Sequence, residues 1–326
     1  MNNCLVRPYT APDWTNLAPL FEAWPSPPEG CEVQGNVPEN YPVCAQIREP
    51  GGNDGGAWIV VEQNHVRAFG CFRKLPWDSR QLRMSAARID YLLAAGSYNE
   101  QRATKAMLLE ELLVEAQNLG IWHMSVRVDA SDLSTLHVLE EAGFITVDGI
   151  LTFGLDLKAH TAIEPANNFK IRLATADDAE ATAELARMAY VYDRFHADPF
   201  IDHELADDLH ATWLRNSCEG KAADAVLIAE DESGLLGFVT CKLPGDSGRK
   251  LNNSKTGTIV LVASAVRARG RRVGFGLTMA ALEWFRLNGC ETVEVGTQLS
   301  NIPASRLYQT CGFQLRATSI SLRRML

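Results

Sequence analysis

Two rhythms of apolar and polar positions run through the chain: a two-residue alternation that predicts strands and a three-to-four-residue one that predicts amphipathic helices. In the second half, Phe169–Leu173 predicts a strand and Asp177–Met188 a helix, with Thr175 as N-cap and Asp178 at the third helical position. A longer, mixed segment follows. Ala225–Glu230 and Leu236–Leu243 predict the arms of a hairpin turned at Glu232–Gly234, and Thr258–Val266, rich in β-branched residues, the third strand of a meander. Gly276–Leu287 reads as an amphipathic helix, Thr292–Thr297 as a strand, Pro303–Thr310 as a helix capped by Asn301, and Ser319–Arg323 as a last strand. The first half follows the same order, with strands at Trp58–Glu62, Val66–Lys74 and Ala86–Leu93, a helix at Thr104–Asn118 and a strand at Met124–Asp129. Its Pro/Gly-rich stretch Pro25–Gly56 carries the least structure. The pattern predicts a mixed α/β fold, with helices on both faces of a sheet.

This parallel extends to individual residues. Arg7-x-x-Thr10-x-x-Asp13 has the spacing of Arg172-x-x-Thr175-x-x-Asp178, each motif closing a short apolar run and opening a helical stretch. Gly120 and Gly143 lie 23 residues apart, as do Gly289 and Gly312, and Phe144 and Phe313 follow the second glycine of each pair. The offsets, 165 and 169 residues, are nearly equal, so the chain reads as two copies of one domain. We place them at residues 1–157 and 169–326, with the aperiodic, proline-containing segment 158–168 as linker.

Composition narrows the class without choosing a function. At 326 residues, 46% apolar and 22% charged, the chain is ordinary globular material. A net charge of −9 opposes nucleic acid and anionic membranes, so neither is an expected partner. The first residues lack the apolar core of a secretory signal and no later segment runs 18 apolar residues, which predicts a cytoplasmic protein. The eight cysteines never form a Cys-x-x-Cys pair and read as buried free thiols. His65 reads as a hairpin-turn residue and His137 as a helix-surface residue; neither has metal-ligand company, and no metal is expected.

Against that acidic background one cluster stands out. Between the strand Thr258–Val266 and the following helix, Arg267-Ala-Arg-Gly-Arg271-Arg272-Val273-Gly274-Phe275-Gly276 places four arginines within six residues. Glycines at a strand-to-helix turn let backbone amides approach a ligand, and a helix N-terminus adds about half a positive charge, so the loop suits a pyrophosphate. A solvated, arginine-rich turn is the alternative reading of the loop alone.

The succession of strand, Arg-x-x-Gly-x-Gly, helix, strand and Asn301-x-x-Ala304-x-x-x-Tyr308-x-x-x-Gly312-Phe313 resembles the GNAT acetyltransferase superfamily over Phe169–Leu326. The resemblance implies a tandem GNAT fold, each copy a mixed, mostly antiparallel sheet flanked by helices, and acetyl-CoA as co-substrate. It implies that Arg271, Gly274 and Gly276 mark the coenzyme A pyrophosphate loop, with Arg272, Val273, Phe275 and Leu277 as further backbone donors. Arg272 stands where the family more often has glycine. Asn301 and Tyr308 fall on positions that contact the pantetheine arm and protonate the departing thiolate; without the family, Tyr308 reads as a core-facing tyrosine. A phenol of pKa about 10 can protonate a thiolate whose conjugate acid resembles cysteine, about 8.5, when water is excluded. A neutral amine then attacks the thioester directly, with strand-end amides near Val266 holding the tetrahedral oxygen. Asp193, His196 and Glu294 are candidate bases, though a solvated face or a structural histidine also explains them.

A finer resemblance rests on Arg194-Phe-His196-Ala-Asp198-Pro199-Phe200, Trp213-Leu-Arg-Asn-Ser217, Gly296-Thr-Gln298-Leu-Ser-Asn301 and Trp77-Asp78-Ser79. These look like the dTDP-fucosamine (dTDP-4-amino-4,6-dideoxygalactose) acetyltransferases, which join a degenerate amino-terminal GNAT half to a working carboxy-terminal one. Arg194, His196 and Gln298 become candidate substrate contacts, a nucleotide-linked amino sugar the favoured small-molecule amine, and a homodimer is compatible with the resemblance. Arg80-Gln-Leu-Arg83 replaces the family's Phe-Phe-Gly. Aligned through the shared glycines, Gly274 and Gly276 fall on Lys105 and Met107, and Tyr308 on Leu139, so the first copy lacks the phosphate cradle and the acid. A peptide or protein amine as acceptor, which Asp193, Asp198, Asp202, Glu204, Asp207 and Asp208 would suit, and a non-catalytic acyl-CoA sensor are the other readings.

Overall fold

The computed structural model describes residues 4–22, 54–160, 168–244 and 255–326. Most of Pro25–Gly56 and of the expected linker, and Cys31 and Cys44, lie outside the described residues. The other six cysteines are free; Cys4 and Cys218 are half-buried and the rest buried. No described helix is long and apolar enough to cross a membrane.

The chain divides into two compact units. The first contains β1 (Cys4–Pro8), α1 (Ala18–Glu22), β2 (Gly55–Glu62), β3 (His65–Lys74), α2 (Pro76–Leu82), β4 (Ala86–Ala94), α3 (Tyr98–Asn118), β5 (His123–Asp129) and α4 (Leu133–Glu141). Strands β1 to β4 pair antiparallel in sequence order, and β5 joins β4 in parallel. Helix α3 packs on β2, β3 and β4, and its Leu108, Leu109 and Leu112 are buried against Val60, Phe72 and Ile89.

The second unit runs through β7 (Lys170–Leu173), α5 (Ala179–Ala189), the short α6 (Arg194–Ala197), α7 (His203–Cys218), β8 (Ala225–Asp231), β9 (Gly234–Lys242), β10 (Thr256–Ser264), α8 (Val273–Leu287), β11 (Thr292–Gln298) and α9 (Ile302–Thr310). Strands β7 to β10 are antiparallel neighbours and β11 pairs with β10 in parallel. Helix α8 packs on β8, β9 and β10, closely enough that a Cβ on Gly237 would sit 2.6 Å from the Ala263 carbonyl oxygen and 3.1 Å from Val273 and Leu277. Leu277, Leu282 and Phe285 fill the core behind it.

Two long strands complete the sheets. In β6 (Ile145–Asp156), Ile150–Asp156 pair antiparallel with β11 in the second unit. In β12 (Gln314–Met325), Ser319–Met325 pair with β5 in the first. The units therefore meet along the sequence at Val147/Asp148, and residues 319–326 return to the first. Sequence spacing places a strand but does not choose its partner, so a division at the linker assigns both stretches differently.

The repeat is exact at its opening motif. Arg7 donates to both oxygens of Asp13 at 2.8 and 2.6 Å, and Arg172 to both oxygens of Asp178 at 2.7 and 2.9 Å. Each aspartate also accepts from the backbone amide of its threonine, Thr10 at 2.9 Å and Thr175 at 2.8 Å. The Arg7 bond first, then those from Thr10, hold the Asp13 carboxyl at about 2 despite the opposing effect of burial.

Several elements differ from expectation. Helix α8 starts three residues before Gly276 and α3 six before Thr104, while β10 ends two residues before Val266. Helices α2, α6 and α7 and strand β6 were not among the predicted elements, while α4 carries His137, read as a helix-surface residue. His65 opens β3; the turn itself is Gln63–Asn64, both at positive φ.

Candidate active site

The four arginines of the strand-to-helix loop divide into two pairs. Arg267 donates to the Leu235 carbonyl at 2.6 Å and to Ser233 Oγ, and Arg271 pairs with Asp231 at 2.7 Å, so both hold the loop to the β8–β9 hairpin. Asp231 is held down at about 2, first by the Ser233 hydroxyl and then by Arg271. Arg269 and Arg272 line a cleft of about 360 Å³ with Gly270, Val273, Gly274, Phe275, Arg306 and Leu307. Arg271, expected to mark the pyrophosphate loop, turns to Asp231 in this structure, and Arg306 joins the cleft from α9, where no local pattern announced it.

Backbone geometry opens the cleft to anions. Gly276 N donates to Arg272 O at 3.0 Å as the first bond of α8, so the amides of Val273, Gly274 and Phe275 precede the intrahelical ladder. Arg272 adopts the left-handed conformation at φ 60°, which costs a side-chain-bearing residue about 1 kcal/mol, and its guanidinium rests 4.5 Å from the Phe275 ring centroid. A Cβ on Gly274 would lie 3.1 Å from Leu307, so only glycine lets α8 and α9 approach here without displacement. The side chains of Val273, Phe275 and Leu277 are buried in the core, leaving their backbone for any ligand, and Gly276 is buried in the first turn. Val266 begins a single 3-10 turn beyond β10 and is exposed.

The sheet parts beside this cleft. Strands β10 and β11 pair only over Thr256–Ile259 with Thr292–Val295, after which β10 continues to Ser264 and β11 to Gln298 without cross-pairing. A register shift against β9 between Ile259 and Leu261 bends β10 at the same level. The diverging edges present backbone donors and acceptors that an extended, amide-bearing ligand can satisfy.

Helix α9 flanks this opening. Asn301 caps it by accepting from Ala304 N at 3.2 Å. Tyr308, two residues before its end, is buried between Phe153 and Phe313, with ring centroids 5.9 Å away in both cases. Burial raises the Tyr308 phenol well above its ordinary value, and the Cys311 thiol adds to the shift, so the hydroxyl stays protonated at neutral pH.

A second polar cluster lies on α6 and α7. Asp193 caps α6, accepting from the amides of Phe195 at 2.8 Å and His196 at 3.3 Å, and its other oxygen meets His196 Nδ1. His196 Nε2 contacts Asp207 at 3.0 Å, and the bond to Asp193 is the largest of the effects that raise its pKa. His210, in contrast, is held neutral by burial; its Nδ1 donates to the Ala206 carbonyl at 2.8 Å. Asp193, His196 and His210 bring ligand-type atoms within 4.8 Å of one another, yet both His196 nitrogens already face carboxylates, as a doubly paired imidazolium would. Arg194 stacks 4.5 Å from the Phe195 ring centroid, while Gln298 and Glu294 lie on β11. His210 and Tyr190, stacked on it at 4.4 Å, carried no spacing signal in the sequence.

The first unit repeats the backbone pattern with different side chains at the corresponding positions. Strands β4 and β5 pair only over Ala86–Ile89 with His123–Val126 before parting, with a register shift between Cys71 and Phe72 of β3 at that level. An offset of 169 places Asn301 on Asp132, which likewise caps its helix, accepting from Thr135 N at 3.0 Å. It places Gly274 on Lys105, whose buried Nζ bonds both Asp132 oxygens at 3.0 and 3.1 Å and Ser134 Oγ at 2.8 Å. Leu139, at the Tyr308 position, is fully buried.

Residues 184–313 match the acetyltransferase (GNAT) family. The chain is 25% identical to the spore coat polysaccharide biosynthesis protein SpsD of Bacillus subtilis, over 78% of this chain and 82% of that protein. It is 28% identical to the dTDP-fucosamine acetyltransferase of Escherichia coli, over 66% of this chain and 88% of that protein. Among solved structures, a tandem GNAT protein from the clavulanic acid biosynthesis pathway superposes with a TM-score of 0.59 at 14% identity, covering 99% of this chain and 98% of that one.

Proposed function

We propose that this chain, which carries a GNAT-family acetyltransferase domain in its second half, transfers the acetyl group of acetyl-CoA to the amine of a nucleotide-linked amino sugar. One observation carries the coenzyme assignment: the free amides of Val273, Gly274 and Phe275 face a cleft lined by Arg269, Arg272 and Arg306, beside the gap where β10 and β11 part. The helix start and three guanidinium groups suit the pyrophosphate, and the unpaired strand edges suit the amides of the pantetheine arm.

The residues then divide the work. The amine nitrogen forms a bond to the thioester carbon while the carbonyl electron pair moves to oxygen. As the C–S bond breaks with its electrons on sulfur, Tyr308 gives the thiolate its proton, and the proton lost by the amine restores the phenol through solvent. The dTDP-fucosamine acetyltransferase relative and the polysaccharide-biosynthesis relative support an amino sugar as acceptor. The contacts from Arg194, His196 and Gln298, and the two-domain division of labour, belong to the same reading.

Thiol release from acetyl-CoA, measured with dTDP-4-amino sugars beside a panel of simple amines and a lysine peptide, tests the acceptor. Tyr308→Phe should lower kcat about 10²–10⁴-fold while acetyl-CoA affinity holds, since the lost hydroxyl acts only as the thiolate departs. Turnover within twofold of wild type would return Tyr308 to the core. Thiol release with the peptide alone would replace the amino sugar by a protein amine.

A further inference from the structure

We infer that the Tyr190 hydroxyl is a second catalytic group, a hydrogen-bond donor to the thioester carbonyl oxygen as it becomes an oxyanion. The inference rests on the reading of the β10–β11 gap as the acetyl-CoA site. Its starting point is an anomaly. Tyr190 Oη is closed off from solvent and has no hydrogen-bond partner, a state that native structures seldom keep without a ligand to fill it.

The surroundings say where that ligand sits. Tyr190 is the C-terminal cap of α5, and α5 packs on β9 and β10. The hydroxyl approaches the backbone of Val262, without reaching hydrogen-bond geometry, in the stretch of β10 that has parted from β11. It also lies within the electrostatic field of the Tyr308 phenol. The Tyr190 hydroxyl thus lies beside the opened strand and within electrostatic reach of the Tyr308 phenol, one group suited to oxygen and the other to sulfur.

The ring is held for the purpose. It lies on His210 with centroids 4.4 Å apart and planes 13° from parallel, and His210 is itself fixed by its bond to the Ala206 carbonyl. Burial, then Tyr308 and Asp193, push the Tyr190 phenol well above its ordinary value. Such a group donates a hydrogen bond and does not accept a proton from an ammonium, which separates it from the role of base. In the reaction the carbonyl π pair moves onto oxygen, Tyr190 O–H bonds to that oxygen without transferring its proton, and the pair returns as the C–S bond breaks. Preorganised donors of this kind act most strongly where water is excluded.

The test uses the full chain and needs no knowledge of the acceptor. A coenzyme A thioether carrying a trifluoromethyl ketone, hydrated in water to a gem-diol, mimics the tetrahedral centre and its oxygen, and acetyl-CoA does not. Tyr190→Phe keeps the ring on His210 and should weaken binding of this analogue about 100-fold with acetyl-CoA affinity unchanged, the latter also showing that the fold is kept. Incorporating 3-fluorotyrosine at position 190 restores the hydroxyl and should restore analogue affinity. With an accepted amine, kcat should fall by a similar factor at constant amine KM. Equal binding of the analogue by wild type and variant would overturn the inference, as would a raised amine KM at unchanged kcat, which places the hydroxyl on the acceptor. Failure of the wild-type chain to bind acetyl-CoA would instead overturn the coenzyme-site reading beneath it.

Discussion

Helix α8 begins at Val273, behind a loop whose arginines face a cleft; its counterpart α3 begins six residues earlier in the repeat, at Tyr98, about 9 Å of additional helix. The earlier start carries its own capping box: Glu100 accepts from Ser97 N at 2.7 Å and from Ser97 Oγ at 2.6 Å, so a carboxylate of the chain already serves this helix start. Behind it, the glycine that admits close helix approach has become Lys105, clamped to Asp132 and Ser134. Strand order, register shift and strand divergence persist in both units. The comparison teaches that the shared backbone is only permissive: a few side chains at one helix start decide whether the gap is a ligand site or a filled structural seam.

The largest test of that contrast is Gly274→Glu. Its side chain would meet Leu307 and set a negative charge at the helix start, so acetyl-CoA affinity should fall at least about 100-fold, some 2.7 kcal/mol, by titration calorimetry. The wild-type chain should bind one acetyl-CoA per chain. Two equivalent sites would mean that the first unit is not closed.

Lys105→Ala should act on stability alone. Leaving the Asp132 carboxylate buried without its partner should cost about 3–5 kcal/mol in chemical denaturation, while acetyl-CoA affinity stays as it was. Replacing both partners, Lys105→Met with Asp132→Leu, should recover much of the loss. A drop in coenzyme affinity in the single variant would put the coenzyme in the wrong half.

The smallest effect concerns His196, whose raised pKa comes from Asp193 first and then Asp207. A raised folded value contributes stability in full below the ordinary value of 6.5 and loses it as pH rises through the folded value. His196→Gln should therefore cost more stability at pH 6 than at pH 9. An equal cost at both would show that the imidazolium is not what these carboxylates hold.

Much of this contrast could be read before any fold was known, because it is local. The Arg-Thr-Asp openings, the Asn301 cap, and lysine and leucine in place of Gly274 and Tyr308 need only spacing. What could not be read depends on distant residues. Arg271 turns away from the cleft because Asp231, 40 residues earlier, holds it. Arg306 reaches the cleft only through the packing of α9 against α8, and Tyr190 meets His210 across the α5–α7 pair. No periodicity encodes such meetings, because each joins side chains that are far apart in the sequence.

The exchange of edge strands bears on synthesis. Strand β5 waits for Ser319–Met325, far downstream in the chain, so the first unit lacks a bordering strand until those residues have been made. The second unit takes Ile150–Asp156 from upstream and needs no strand from beyond Thr318. During elongation the earlier-made half therefore presents a bare strand edge, the arrangement that invites pairing with another nascent chain. A stop codon placed before Ser319 would leave the Arg267–Gly276 loop encoded in full and the other half of the molecule as the part that aggregates.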